Sequence, residues 1–176
     1  MDPLPAPPFA LRPYRPDDVD ELVRAARESV ATVGRWMPWC HADYVTAEAQ
    51  EWIAHAAASV ADRSAYELAL VDATDDRLVG GVGLNQFNAR NNFCNLGYWV
   101  RESRQRRGAA TAGARALARF GFDRLALTRI EIVVQEGNVA SAAVAQAIGA
   151  RREGVARNRL VILDVPVAAV VYGLVP

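Results

Sequence analysis

A mixed α/β (α+β) fold, one domain built on a mostly antiparallel sheet, is predicted by three features of the chain. Stretches of strand-type and helix-type apolar spacing alternate from "FALRPY" near the start to "VAAVVYGLV" near the end. Two pairs of strand-like runs are separated only by short polar turns, "ATDD" and Asp164–Pro166, as in hairpins. The 176 residues suffice for one domain with a sizeable core, and no internal repeat or boundary interrupts them. The order reads β-α-α-β-β-β-α-β-α-β-β, about seven strands flanked by about four helices.

Each element has a local reason. Residues 1–8 are Pro-rich and read as a frayed or extended arm, which leaves residues 9–176 for the folded domain. "FALRPY" is a short first strand. Asp17 is placed to cap the next helix, with Asp18 and Asp20 in its first turn, where carboxylates suit the helix dipole. Val19, Leu22, Val23 and Ala26 form its apolar stripe. "VGRWMPWCHADYV" is irregular, aromatic and broken by proline. Thr46 is placed to cap a second helix, "AEAQEWIAHAAASVADR".

"YELALVD" and "RLVGGVGLNQF" are strands, and "NARNN" leads into a further strand, "FCNLGYWV". In "GAATAGARALARFGFDRL" the apolar or small positions 113, 116, 117, 120 and 121 follow helical spacing. "RIEIVVQ" is a buried-type strand. "NVASAAVAQAIG" is a short helix, with Asn138 as its cap and Gly149 as its stop. "ARREGVARNRLVIL" and "VAAVVYGLV" are two closing strands.

Composition narrows the classes. Just over half the residues (52%) are apolar and 23% are charged, as in a globular protein. No apolar run reaches membrane-spanning length, and the N-terminus lacks the basic and hydrophobic regions of a signal peptide, so the cytoplasm is the expected compartment. Two cysteines, Cys40 and Cys94, make no CxxC pair, which argues against a disulfide scaffold. Cys40 and His41 are adjacent and no second pair completes a set, so no metal site is expected. His55 falls in a helical pattern as a surface or partly buried residue.

Net charge is zero but unevenly spread. Residues 1–62 hold ten Asp/Glu against five Arg, and residues 101–159 hold twelve Arg against five Asp/Glu. An acidic first third can receive a cation and a basic later part an anion; solvated surface is the plain alternative.

The most informative stretch is "RESRQRRGAAT", Arg101 to Thr111. Four arginines in seven residues give way to Gly108, Ala109 and Ala110, just where a strand passes into a helix. The first amides of a helix have no internal partner, and small side chains let a phosphate approach them. Arg104, Arg106 or Arg107 can add charge-assisted hydrogen bonds. A P-loop needs a lysine, and this chain has none; a G-x-G-x-x-G dinucleotide fingerprint is also missing.

Here the chain resembles the GNAT acetyltransferase superfamily, which carries [QR]-x-x-G-x-[GA] at this turn; Gln105, Gly108 and Ala110 match. "LGYWVRESRQRRGAATAG", "NVASAAVAQAIGARREGV" and "RWMPW" resemble, in order, motifs of its ribosomal-protein N-terminal acetyltransferase branch. The resemblance implies a GNAT-like domain and acetyl-coenzyme A as the acetyl donor.

It further implies that backbone amides from Arg106 to Thr111 (Arg106, Arg107, Gly108, Ala109, Ala110, Thr111), with Gln105 nearby, hold the pyrophosphate. Trp99, Val100 and Arg101 would follow the pantetheine arm between two splayed strands. The Val100 N–H would be the oxyanion donor, and Asn138 and Ser141 would touch the cofactor.

Transfer to an amine needs a neutral amine, alignment and a stabilised thiolate. Glu67, a carboxylate in an apolar strand, is the candidate base through water, or else an outward-facing residue of an alternating strand. Ser141 is a candidate acid or only a cofactor contact. Trp36 and Trp39, with Asn85, Phe87 and Tyr98, are candidates to line an acceptor pocket; core packing is the other reading for the tryptophans.

The implied activity is direct N-acetylation of a primary amine, with a protein or peptide N-terminus first and an aminoglycoside, polyamine or amino acid as alternatives. Neither cysteine sits in a motif that would activate a nucleophile. A module that binds acyl-coenzyme A without turnover is a reading of another class, favoured by Ala145 where the superfamily often has a tyrosine. Zero net charge and the lack of a nucleic-acid motif argue against nucleic acid. Related proteins are monomers or homodimers, and nothing implies a membrane partner.

Overall fold

The computed structural model describes residues 1–176. Eight strands form one sheet: β1 (Leu4–Ala6), β2 (Phe9–Pro13), β3 (Tyr66–Asp72), β4 (Leu78–Asn88), β5 (Phe93–Val100), β6 (Arg129–Gln135), β7 (Arg151–Ile162) and β8 (Val165–Leu174). Their order across the sheet is β1-β2-β3-β4-β5-β6-β8-β7. Every adjacent pair is antiparallel except β5 and β6, which run parallel. Helices α1 (Val19–Glu28), α2 (Thr46–Asp62), α3 (Ala109–Leu125) and α4 (Val139–Ala147) cover the two faces.

The expected order holds from Phe9 onward. One strand is added: Leu4–Ala6, inside the segment read as an arm, pairs with β2 and buries Ala6. Two capping expectations also shift by a residue. Asp18, not Asp17, accepts the Arg15 N–H, and it forms a buried pair with Arg12 at 2.7 Å. The chain enters α2 through Glu48, which accepts the Val45 N–H at 2.8 Å. A carboxylate at the third helical position satisfies a donor that the helix leaves open.

Sheet alternation sorts the apolar residues into two cores. One face packs Leu22, Ala25, Ile53 and Ala56 of α1 and α2 against Ala69, Val71 and Leu78. The other packs α3 and α4 against Leu11, Leu70, Val82, Leu84 and Ile130. Gly113 and Gly121 let α3 lie close to this sheet: a Cβ at Gly113 would stand 2.9 Å from Val82, and one at Gly121 would stand 3.1 Å from Leu84.

The β5–β6 ladder is short. It holds only from Phe93↔Arg129 to Asn95↔Glu131, after which β5 turns away toward Val100 while β6 stays with β8 up to Gln135. This divergence opens the sheet at its centre, beside the N-terminus of α3.

Candidate active site

Backbone alternation decides what faces the opening. The Arg101 N–H bonds the Val79 carbonyl at 2.9 Å, so in an antiparallel ladder Trp99 and Arg101 turn their polar groups toward β4. Tyr98 and Val100 then turn theirs toward the gap left by β6. Gln105 caps the gap: its Nε2 donates to the Val100 carbonyl at 2.9 Å and lies 3.3 Å from Thr32 Oγ1. The Val100 N–H is left facing a groove of about 620 Å³.

The far end of this groove is the turn into α3. Arg106 and Gly108 both take left-handed conformations, φ 61° and 79°, and a Cβ built on Gly108 would meet nothing within 4 Å. The turn therefore exposes backbone, as an anion-binding nest does. No side chain caps α3, and its first intrahelical bond is from the Ala112 N–H to the Gly108 carbonyl. The amides of Ala109, Ala110 and Thr111 are thus open at the positive end of the helix dipole.

Most of the residues expected to follow the cofactor line this groove: Trp99, Val100, Gln105, Arg106 and Gly108, then Ala109, Ala110, Thr111, Asn138 and Ser141. Two do not. Arg107 is exposed outside it. Arg101 points to the opposite side, where its guanidinium binds Glu28 at 2.7 and 2.8 Å and Glu21 at 3.4 Å. That pair, with help from Ser103, pulls the Glu28 carboxyl down to about 2 against the opposing effect of burial. The arginine therefore fastens the start of the loop to α1, and its charge does not reach the groove.

Asn138 caps α4 as expected, its Oδ1 accepting the Ser141 N–H at 3.1 Å. That hydrogen bond fixes Ser141 beside β5. The Ser141 hydroxyl donates to Tyr98 Oη at 3.2 Å, and Tyr98 Oη donates to the Ser141 carbonyl at 2.8 Å. Burial pushes the Tyr98 phenol up to about 12, so it stays protonated.

A second cavity, about 540 Å³, lies on the α1/α2 face and meets the groove at Met37, Tyr98 and Trp99. Glu67 reaches into it. Its Oε1 accepts from Asn85 Nδ2 at 2.8 Å, and Asn85 Oδ1 accepts from Asn95 Nδ2 at 3.0 Å. Burial raises the Glu67 carboxyl above its ordinary value, and the Asn85 bond partly opposes this. The carboxylate lies across Gly83, where any Cβ would collide with it. Of the two readings of Glu67, the cavity-facing one is the geometry found.

Trp39 meets Trp99 edge-to-face at 5.1 Å and Tyr44 at 6.0 Å, forming an aromatic wall. Every acidic or basic residue in the lining other than His55 is a glutamate: Glu48, Glu51 and Glu67. Of the residues expected here, Trp39, Asn85 and Tyr98 are present. Trp36 lines the cofactor-side groove instead, with the Arg35 guanidinium 4.9 Å over its ring. Phe87 borders neither cavity and packs edge-to-face on Tyr66 at 6.1 Å; the bulge between Asn85 and Asn88 changes its facing.

Sequence reasoning missed Tyr14, Tyr44, Trp52, Glu48 and Glu51 in this lining. One signal was available: glycine at 81 and 83 within a strand marks a place where something approaches the backbone closely.

These features are a nucleotide-type anion cradle, a split sheet and an acidic pocket that meet at one point. A family model described as "Acetyltransferase (GNAT) domain" matches residues 9–151. The chain belongs to the GNAT acetyltransferase family and is an acetyl-CoA-dependent N-acetyltransferase. It is 27% identical over 171 residues to a Bacillus subtilis protein named as a ribosomal N-acetyltransferase, YdaF, covering 94% of this chain and 90% of that one.

Among solved structures it is similar to a Vibrio cholerae protein described as a ribosomal-protein-serine acetyltransferase (32% identity, TM-score 0.87, 99% and 98% coverage). Mycobacterium smegmatis RimJ, solved with a CoA-disulfide, shares the fold (23% identity, TM-score 0.86, 99% and 86% coverage). No helix is long and apolar enough to cross a membrane.

Proposed function

We propose that the protein acetylates the α-amine of a protein or peptide N-terminus. The observation that carries this reading is the junction at Tyr98 and Trp99. There a groove with open backbone amides meets a cavity whose charged lining is acidic apart from His55. A thioester laid along the groove brings its carbonyl to that junction, and an ammonium is drawn in from the other side by glutamates and aromatic faces. The two named ribosomal-protein relatives support a protein terminus as the acceptor.

In this reading the amides of Ala109, Ala110 and Thr111 receive the pyrophosphate, and Asn138 and the exposed groups of β5 receive the pantetheine arm. Glu67 accepts one proton from the ammonium, directly or through a water. The neutral nitrogen attacks the thioester carbonyl; a C–N bond forms and the C–S bond breaks. The Val100 N–H faces the oxygen on which negative charge develops. The sulfur leaves as thiolate, and the Ser141 hydroxyl, held in place by Tyr98, donates to it; the second proton of the attacking nitrogen passes to the serine oxygen as the hydroxyl proton reaches the sulfur, while the proton on Glu67 returns to solvent. The products are an acetylated amine and coenzyme A.

A screen of thiol release from acetyl-CoA tests this against peptides with free N-termini, polyamines, aminoglycosides and amino acids. Mass spectrometry then locates the added acetyl group. Acetylation at a peptide α-amine is the expected result. Turnover only with small amines moves the assignment to those acceptors. Binding of acetyl-CoA without release on any amine leaves a sensor module.

A further inference from the structure

Tyr14 Oη is buried (the residue is 6% exposed), borders the acceptor cavity and has no hydrogen-bond partner. The Trp52 indole N–H approaches it without reaching hydrogen-bond geometry. An unpaired buried hydroxyl beside a cavity calls for a ligand atom. Its surroundings show which kind. The point where Gly81 would carry a Cβ is 2.6 Å from Tyr14 Oη and 2.5 Å from Trp99 Nε1. Two polar atoms from distant parts of the chain therefore converge over one bare strand residue.

Both are donors. An indole nitrogen can only donate, and burial keeps the Tyr14 phenol protonated. An oxygen acceptor in the cavity they line can receive from both at once, whereas an ammonium could meet only the phenol oxygen. We propose that Tyr14 and Trp99 bind the first carbonyl oxygen of the acceptor, selecting α-aminoacyl groups over amines without a neighbouring carbonyl. This rests on the acceptor cavity reading above and specifies its substrate.

The spacing agrees. Glu67 lies across Gly83 and the donor pair across Gly81, two residues apart on one face of β4, so the two points are about 7 Å apart. In an N-terminal residue the amine nitrogen and its carbonyl oxygen are roughly 3 Å apart, and a hydrogen bond of about 2.9 Å at each end, inclined to that vector, lets one residue reach both points. A polyamine or alkylamine can satisfy Glu67 but leaves the donor pair unpaired. A peptide terminus satisfies both.

The test uses Ala-Ala-Ala-amide and the same peptide with its first amide replaced by an E-alkene, which removes the carbonyl without adding charge. The wild-type protein is expected to show kcat/KM at least about tenfold higher for the amide. Tyr14→Phe should raise KM for the amide about tenfold, with little change in kcat, and leave the alkene peptide unaffected. Trp99→Phe, which keeps a ring but loses the N–H, should lower the ratio of kcat/KM for the amide to kcat/KM for the alkene peptide toward one, whatever it does to both rates through packing.

Equal wild-type rates on the two peptides overturn the proposal, as does a Tyr14→Phe loss shared by both, which marks a merely structural role. A wild-type protein that turns over neither peptide overturns the N-terminal reading and this one together. Equal turnover of both leaves that reading standing and removes only this one.

Discussion

Ser141 and Tyr98 hold each other twice: the serine hydroxyl donates to the phenol, and the phenol donates to the serine carbonyl. Ala145, buried on the same helix, leaves room for a phenol that comes from the sheet. A hydroxyl so fixed on the groove wall, bonded to Tyr98 where the two cavities meet, can shift its donation to a departing thiolate. Ser141→Ala should lower kcat about 10- to 100-fold, the worth of one hydrogen bond to a charged group. The KM for acetyl-CoA should change much less. Steady-state kinetics at saturating acceptor checks this, and an unchanged kcat would make Ser141 a binding contact only. Tyr98→Phe should give a smaller loss in the same direction.

Glu67 is raised by burial, which links its role to stability. A carboxyl whose folded value lies above its ordinary 4.5 contributes stability at low pH that is lost as pH rises through the folded value. At neutral pH its charge therefore costs stability. Glu67→Gln should raise Tm at pH 7 and narrow that advantage toward pH 4. It should also lower kcat/KM about 10²-fold or more. In the wild-type protein, kcat/KM should fall on acidification at a pH above the usual carboxylate range. Thermal melts and a pH–rate profile read both effects.

Glu28 has the opposite sign. Arg101 holds its carboxyl at about 2, below the ordinary 4.5, so its contribution is fully present above about pH 4.5 and fades as pH falls toward 2. Glu28→Gln should cost on the order of 1 kcal/mol at neutral pH, since the pair is partly solvated. Denaturant melts should show the gap closing across that acid window. Because the pair anchors the loop before α3, the variant should also raise the KM for acetyl-CoA more than that for the amine.

Gly83 has a steric role. A methyl group there would displace the Glu67 carboxylate. Gly83→Ala should lower kcat/KM for the amine at least tenfold while calorimetric affinity for acetyl-CoA stays within about twofold. Loss of both would show that the strand itself had shifted.

The sequence carried the parts of the site that are continuous in the chain. The αL turn at Gly108, the open start of α3 and the Asn138 cap each depend on neighbouring residues, so local chemistry was enough to find them. The acceptor cavity draws on Tyr14, Glu48, Trp52, Glu67, Gly81 and Trp99. These converge only after α1 and α2 dock on the sheet, which no local spacing records. Facing was misjudged at Phe87, where a bulge breaks the alternation of β4. The direction of the Arg101 guanidinium was not legible, because its partners, Glu21 and Glu28, lie some 70 to 80 positions away. Strand β1 was missed because three residues among prolines give no period to read.

Bare amides at the start of α3 are expected to hold the diphosphate of the acetyl donor. Isothermal titration with acetyl-CoA and with S-acetylpantetheine, which lacks the diphosphate and the 3′-phosphoadenosine, tests this, and Gly108→Val separates the turn's share from the adenosine's. We predict one site for acetyl-CoA, binding that is weaker by at least about 100-fold for the truncated thioester, and a similar loss in Gly108→Val. Equal affinities for the two thioesters, or full acetyl-CoA affinity in the folded Gly108→Val protein, would show that the turn does not hold the diphosphate.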